Sequence, residues 1–352
     1  MDSRLIGALR ERLLRFFRAS ARDLPWRRTR DPYAIWVSEV MLQQTRVETV
    51  VPYFARFLDA FPTVQALADA PLDGVLAQWS GLGYYRRARF LHRGAKTIVE
   101  ELGGSLPRTA EELLRVPGIG RYTAGAIASI AFGEPAAIVD GNVARVLSRV
   151  LGIEDDIRSS SGSAALWARA AELAVGEDPG ALNQALMELG ATVCTPKSPR
   201  CGGCPAADLC VAFRDGRQAE LPRVKERAVA KRWRRVAIVA TKGSAVLLGR
   251  RRDDLVFGGL WEPPSYDAHD SGEDPGAPIG VRLRAPRDLG MVRHVLSHRR
   301  MEVRVYSGNL GSRVDRAKSS EHERFSLFEP DALGTVGLST LARKILGLLS
   351  AR

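Results

Sequence analysis

The sequence predicts two domains of different class: an almost wholly helical part, residues 1–212, and a smaller part of mixed α and β type, residues 236–352. A basic linker, residues 213–235, joins them. Three observations carry this reading. Apolar residues recur at helical spacing through the first two-thirds of the chain. Between Phe213 and Arg235 the composition turns basic, loses its periodicity and is broken at Leu221-Pro222. Beyond Arg235 the pattern becomes strand-like.

The chain has 352 residues, enough for two compact domains, and its 45% hydrophobic and 26% charged residues are those of a soluble globular protein. No apolar run reaches membrane-spanning length. The formal net charge of +12 and the pI of about 10.0 favour a polyanionic partner, nucleic acid first. At the N-terminus, Leu5, Ile6, Leu9, Leu13, Phe16 and Phe17 alternate with Arg and Glu, an amphipathic helix without the unbroken apolar core of a signal peptide. Asp2 and Glu11 interrupt the positive charge that a mitochondrial presequence would need, so a cytoplasmic protein is expected.

The first element with chemical promise runs from Asp31 to Val47. Pro32 suits the first turn of a helix. On that helix Glu39 shares a face with Ile35, Trp36, Leu42 and Gln43, three or four residues away. A carboxyl group among apolar neighbours has a raised pKa and suits a general acid. Before it, Leu24-Pro25-Trp26-Arg27 is a rigid turn that can wall a pocket near Glu39.

Residues 79–89 then join a Gly-x-Gly turn to Tyr84, Tyr85 and three arginines, a composition able to stack on bases and neutralise phosphate. From Thr109, a capping box with Glu112 opens a short helix. The Val116-Pro117-Gly118-Ile119-Gly120 turn follows, and Tyr122–Phe132 reads as a second helix. Such a helix–hairpin–helix turns backbone N–H groups outward and binds phosphate without reading sequence. Asp140 precedes another helix and suits its N-cap. At a helix N-terminus it is expected to keep a lowered pKa and stay ionised beside a protonated Glu39. Carboxyl groups with opposed shifts are what glycosidic bond cleavage needs.

Asn183–Val193 forms a further helix carrying Glu188 and leads into the four cysteines Cys194, Cys201, Cys204 and Cys210. Clustered in so short a stretch, they point to a metal centre rather than disulfides, either a structural zinc or an iron–sulfur cluster. In the second part, Val236–Thr241 and Ala245–Gly249 flank a turn at Lys242-Gly243, and Met301–Ser307 alternates as a strand. Residues 264–288 read as a long loop, and Leu338, Leu341, Ile345 and Leu348 mark a closing helix.

Together these motifs resemble the adenine DNA glycosylases of the MutY family, within the helix–hairpin–helix glycosylase superfamily. The resemblance rests on LPWR (24–27), PYAIWVSEVMLQQTRV (32–47), GLGYYRRAR (81–89), VPGIGRYTA (116–124), VDGNVARVLSR (139–149) and the cysteine run, in that order. It implies a helical glycosylase domain ending in an iron–sulfur loop that holds one [4Fe–4S] cluster on Cys194, Cys201, Cys204 and Cys210, followed by a Nudix-like domain. It implies a monomer acting on double-stranded DNA, removing adenine paired with 8-oxoguanine or guanine after flipping it from the stack. By the same resemblance Glu39 is the general acid, Asp140 stabilises the oxocarbenium-like sugar, and Tyr122 contacts that sugar. Leu24, Trp26, Arg27, Leu42, Val47 and Glu188 match the adenine pocket. Gln44 and Tyr84 match side chains that enter the base stack. Gln43, Thr45, Leu82, Gly83, Arg86 and the turn Pro117, Gly118, Ile119 and Gly120 match further DNA contacts.

Relatives similar to endonuclease III carry Lys where this chain has Tyr122, and cleave the strand through a Schiff base. A tyrosine implies a monofunctional enzyme that leaves an abasic site. In the second domain, Gly259–Pro264 and His294–His298 resemble the family's lesion-recognition domain, with Ser297 and His298 reading 8-oxoguanine. Leu296 stands where the family has an aromatic residue, and no Nudix catalytic box is present.

Overall fold

The computed structural model describes residues 2–224, 231–268, 274–296 and 299–350. They divide into two compact units, one drawn from Met1–Ala68 and Arg93–Arg227, the other from Asp69–His92 and Ala228–Arg352. The segment 69–92, read from the sequence as part of the helical domain, thus belongs with the C-terminal residues.

The first unit is helical: α1 (Ser3–Ser20), α2 (Pro32–Leu42), α3 (Val47–Ala60), α4 (Val64–Asp69), with α5 (Leu72–Gln78) in the other unit and α6 (Arg86–Glu101) running across the division. Then follow α7 (Ala110–Leu113), α8 (Arg121–Phe132), α9 (Gly141–Leu151), α10 (Ser160–Ala174), α11 (Pro179–Thr192) and α12 (Val211–Arg214). Helix α2 is its centre. Asp31 caps it by accepting from the Tyr33 and Ala34 amides, and Pro32 occupies its first turn. Every residue from Tyr33 to Met41 is buried, so α2 is surrounded by protein rather than amphipathic. None of the described helices is long and apolar enough to cross a membrane.

The turn at Pro117-Gly118 closes as expected: Gly118 takes φ 87°, Val116 and Ile119 point inward, and Gly118 and Gly120 stay exposed. A methyl group on Gly94 would lie 2.7 Å from the Pro117 carbonyl and 3.0 Å from the Trp36 ring, so α6 can approach the turn only with glycine there. Leu9, Leu13, Val143, Leu147, Leu182 and Leu186 form the main apolar core of this unit, between α1, α9 and α11.

In the second unit seven strands, β1 (Lys231–Lys242), β2 (Ala245–Arg251), β3 (Trp261–Glu262), β4 (Ser265–Asp267), β5 (Leu283–Leu296), β6 (Arg299–Leu310) and β7 (His322–Phe328), build one mixed sheet. Its order is β3-β2-β1-β6-β5, with β4 against β1 and β7 against β2; β1 and β6 run parallel. Strand β1 begins at Lys231, inside the stretch read as linker. Its arginines mask the strand pattern, yet Arg235 is buried against Glu321 and Asp267. The described residues of the stretch 264–288, read as a long loop, likewise carry regular structure. They hold β4, a short turn at Ala277–Ile279 and the start of β5, and Tyr266, Ile279, Val281 and Leu283 make an apolar cluster on the sheet. Their runs are too short, and too often interrupted by Pro, Gly and Asp, to show period-two alternation. The closing helix, α13 (Thr340–Ser350), buries Leu341 and Ile345, while Leu338 precedes it and bridges to Trp261. Glu262 of the Gly259–Pro264 motif is buried against Arg251 (2.8 Å) and His322 (3.2 Å). Burial opposes its charge, but the Arg251 guanidinium and the hydrogen bond with His322 hold its pKa well below the usual carboxylate range.

Candidate active site

A cleft of about 470 Å³ in the helical unit gathers the residues that matter. It is lined by Leu24, Trp26 and Arg27 from the turn before α2, by Glu39, Leu42, Gln43, Gln44, Thr45 and Val47 from the end of α2 onward, by Tyr122 and Asp140, and by Glu188 of α11. Both expected carboxyl groups and all six expected pocket residues therefore face one space.

Glu39 is 5% exposed. Burial pushes its pKa up to about 7, helped by the negative Asp140 and opposed by the Tyr122 hydroxyl and Arg27. The Tyr122 hydroxyl donates to Glu39 Oε2 at 2.7 Å and also lies 3.1 Å from Met187 Sδ. Burial, then Glu39 and Asp140, raise the tyrosine far above its ordinary pKa, so it remains a hydrogen-bond donor.

Asp140 caps α9. Its Oδ1 accepts from the Val143 amide at 2.7 Å and its Oδ2 from Asn142 Nδ2 at 3.0 Å. The expected lowering of its pKa does not hold. Burial raises it above the ordinary aspartate value, and the amide and Asn142 bonds recover only part of that cost. A cap residue on the surface would have obeyed the helix-terminus rule; this one lines a buried cleft.

Glu188 is fully buried and takes a two-arginine clamp. Arg22 reaches it through Nε at 2.8 Å and Nη2 at 2.9 Å, and Arg27 through Nη2 at 2.8 Å. Burial works against its charge, but the two guanidiniums overcome this and hold its pKa below the usual range. Arg27 also lies over the Phe17 ring at 5.1 Å, and Trp26 meets Phe54 edge-on at 5.5 Å.

Sequence reasoning missed Arg22, Asn142, Arg145 and Met187. Arg22 gave no signal, since its partner is far away in the chain. Asn142 and Arg145 did: they are i and i+3 on the helix that Asp140 caps. Asn142 Oδ1 accepts from Arg145 Nη2 at 2.9 Å, and Arg145 Nε donates to the Cys194 carbonyl at 2.7 Å. A line of polar contacts thus runs from Asp140 to the first cysteine. Gly190 makes it possible, because a methyl group there would come within 2.6 Å of Asn142 Cβ. Gly190→Ala is expected to destabilise the protein by about 1–3 kcal/mol, the cost of overpacking, and to displace Asn142 from Asp140. A thermal melt paired with an activity assay checks both.

The four cysteines form no disulfide, each is partly buried, and Arg149 Nη1 lies 3.4 Å from Cys194 Sγ. Burial, with Cys194, Cys210 and Cys201 nearby, pushes the Cys204 thiol up to about 11. Among the described residues, no three His, Cys, Asp or Glu side chains converge as on a single metal ion.

Of the remaining expected DNA contacts, Gln44 and Tyr84 share an unexpected property. Both are exposed and hold left-handed backbone, φ 57° and 48°, which non-glycine residues rarely adopt. Leu82, Gly83, Tyr84 and Arg86 belong to the second unit; Leu82 is buried, and Arg86 is exposed. Pro117–Gly120 do not line the cleft. Ser297 and His298 lie outside the described residues.

Residues 37–171 match the HhH-GPD superfamily of base excision DNA repair proteins, and residues 235–348 match the NUDIX domain. The adenine DNA glycosylase of Rattus norvegicus is 39% identical over 97% of this chain and 77% of its own length. That of Homo sapiens is 52% identical over 61% of this chain and 41% of its own. Among solved structures, a thermostable thymine-DNA glycosylase superposes with a TM-score of 0.55 at 30% identity, covering 60% of this chain and 98% of that one.

Proposed function

Because the chain belongs to the adenine DNA glycosylase family of base excision repair enzymes, we propose that it hydrolyses the N-glycosidic bond of adenine paired with 8-oxoguanine or guanine in duplex DNA. The observation that carries this reading is a buried carboxylic acid, Glu39, with a pKa of about 7, sharing one cleft with Asp140. The adenine leaves the stack and enters the cleft against Trp26, Leu24, Leu42 and Val47. Protonated Glu39 gives its proton to N7 of the base, and the electrons of the C1′–N bond leave with the adenine. Ionised Asp140 stabilises the cationic sugar. Water bonds to C1′ and its proton returns to Glu39. Tyr122 holds Glu39 by its hydroxyl; a phenol forms no Schiff base, so the strand stays intact over an abasic site. Ser297 and His298 read the 8-oxoguanine. The Gly118–Gly120 turn and the basic Arg86 bind the backbone, and Gln44 and Tyr84 enter the stack.

Cys194, Cys201, Cys204 and Cys210 hold one [4Fe–4S] cluster in this reading. What supports it is four thiols within seventeen residues and the Arg149 N–H at 3.4 Å from Cys194 Sγ, a donor suited to a thiolate sulfur. Such a cluster would cross-link the loop whose Cys194 and Thr195 carbonyls accept from Arg145 and Arg149.

A single-turnover assay on a duplex with adenine opposite 8-oxoguanine tests the function. Adenine is released, and strand breakage appears only after alkali; breakage without alkali would point to a lyase, and no release would sink the proposal. The pH profile gives an independent check. Glu39 acts in its protonated form, so the rate falls as pH rises through about 7. Asp140 acts ionised, so the rate also falls toward acid, beginning above the ordinary aspartate range because its pKa is raised.

A further inference from the structure

We propose that Arg87 is a positioning residue that presents Tyr84 to the base stack, gripping the turn from inside instead of touching DNA. The proposal rests on the reading of Tyr84 as a stack-entering side chain. The turn is strained: Gly81, Gly83 and Tyr84 all have positive φ, at 103°, 79° and 48°. Glycine tolerates this, but a tyrosine keeps such backbone only where its surroundings over-determine it.

Arg87 supplies much of that constraint. Its Nη2 donates to the Gly83 carbonyl at 3.1 Å, where Trp79 Nε1 also donates at 3.1 Å. Its guanidinium lies 5.4 Å from the ring centroid of buried Trp79 and 5.4 Å from that of exposed Tyr84. One planar cation therefore joins a fixed ring to the ring on display, and fastens the carbonyl just before the strained residue. Burial draws its pKa down to about 10, which leaves it charged at neutral pH. Arg86 beside it is exposed and stacks on Phe90 at 5.2 Å, so the outward cation and the inward one are different residues.

The test measures binding of full-length Arg87→Lys, Arg87→Ala, Tyr84→Ala and the double variant Tyr84→Ala/Arg87→Lys to a duplex with adenine opposite 8-oxoguanine. A 2-aminopurine beside the lesion reports unstacking. Arg87→Lys keeps the charge but not the planar fork, and it decides the matter if Arg87→Ala melts early. Positioning predicts that Arg87→Lys weakens binding by about tenfold, the low end of what one stacked base is worth. It also predicts a smaller 2-aminopurine signal, an unchanged salt slope, and a single-turnover rate at saturating enzyme that falls far less than affinity. The double variant should bind no worse than Tyr84→Ala. If the losses multiply in the double variant, or the salt slope drops by about one for Arg87→Ala, Arg87 is a phosphate contact and the proposal fails. Full affinity in Arg87→Lys overturns it too. Full affinity in Tyr84→Ala removes the reading of Tyr84 and the proposal with it, whereas a wild-type protein that releases no adenine overturns the proposed function itself.

Discussion

Glu39→Gln should bind the mispaired duplex as the unsubstituted protein does and excise adenine about 10²–10⁴-fold more slowly, the range that a positioned proton donor contributes. Glutamine keeps the shape of glutamate and still accepts the Tyr122 hydroxyl bond, so the cleft should not rearrange. What it lacks is an acidic proton. Burial is what gives the native carboxyl its proton near neutral pH, and an amide has none to lend. Single-turnover rates alongside equilibrium binding separate the two effects. Excision at the native rate would remove Glu39 as the acid, and lost binding would mean that the substitution disturbs more than chemistry.

Glu188→Ala should cost the protein about 3–5 kcal/mol, the usual penalty for removing one partner of a buried ion pair. Its carboxylate is fully buried between Arg22 and Arg27, and the side chain of Arg27 is only 13% exposed. Without Glu188, Arg27 is left as an unneutralised cation in an apolar wall, while the more open Arg22 can turn to solvent, which favours the lower end of the range. Arg27 also opposes the raised pKa of Glu39, so freeing it should shift the alkaline limb of the rate profile as well as the melting temperature. Thermal denaturation and a pH–rate profile of Glu188→Ala read these separately. A variant that melts like the wild type would show that the clamp is not a source of stability.

How much of this was legible from the sequence depended on distance along the chain. Glu39 among Ile35, Leu42 and Gln43 could be read from helical spacing, and Asp140 from its place before an apolar helix. The clamp on Glu188 could not, because Arg22 meets it only through the tertiary fold. The direction of the Asp140 pKa was misjudged for a related reason. A cap rule is local and visible in the sequence, whereas the depth of the cleft is set by α2, α8 and α11 together. Strain was invisible as well: nothing in the residue types Gln44 and Tyr84 announces left-handed backbone, since neither is the glycine such conformations favour. In the second unit Met301–Ser307 of β6 announced itself by alternation, whereas β5, with Pro286 and Gly290 inside it, did not. Lys231–Arg235 did not, since arginine is not what a strand pattern leads one to look for.

The division of the chain also bears on how the protein comes into being. Ser80 Oγ donates to the Leu338 carbonyl at 2.7 Å, the Tyr85 hydroxyl donates to the same oxygen at 2.8 Å, and a methyl group on Gly337 would touch Leu76 at 2.7 Å. Residues 69–92 are therefore synthesised long before the partners that bury them. On a ribosome, the turn bearing Tyr84 emerges early and waits, with Leu76 uncovered, until Gly337 and Leu338 have been made. Closing so long a loop is slow. Its exposed apolar surface makes the interval a hazard for aggregation. The helical unit also has to accept an interruption at Ala68 and resume at Arg93 before that interruption can fold.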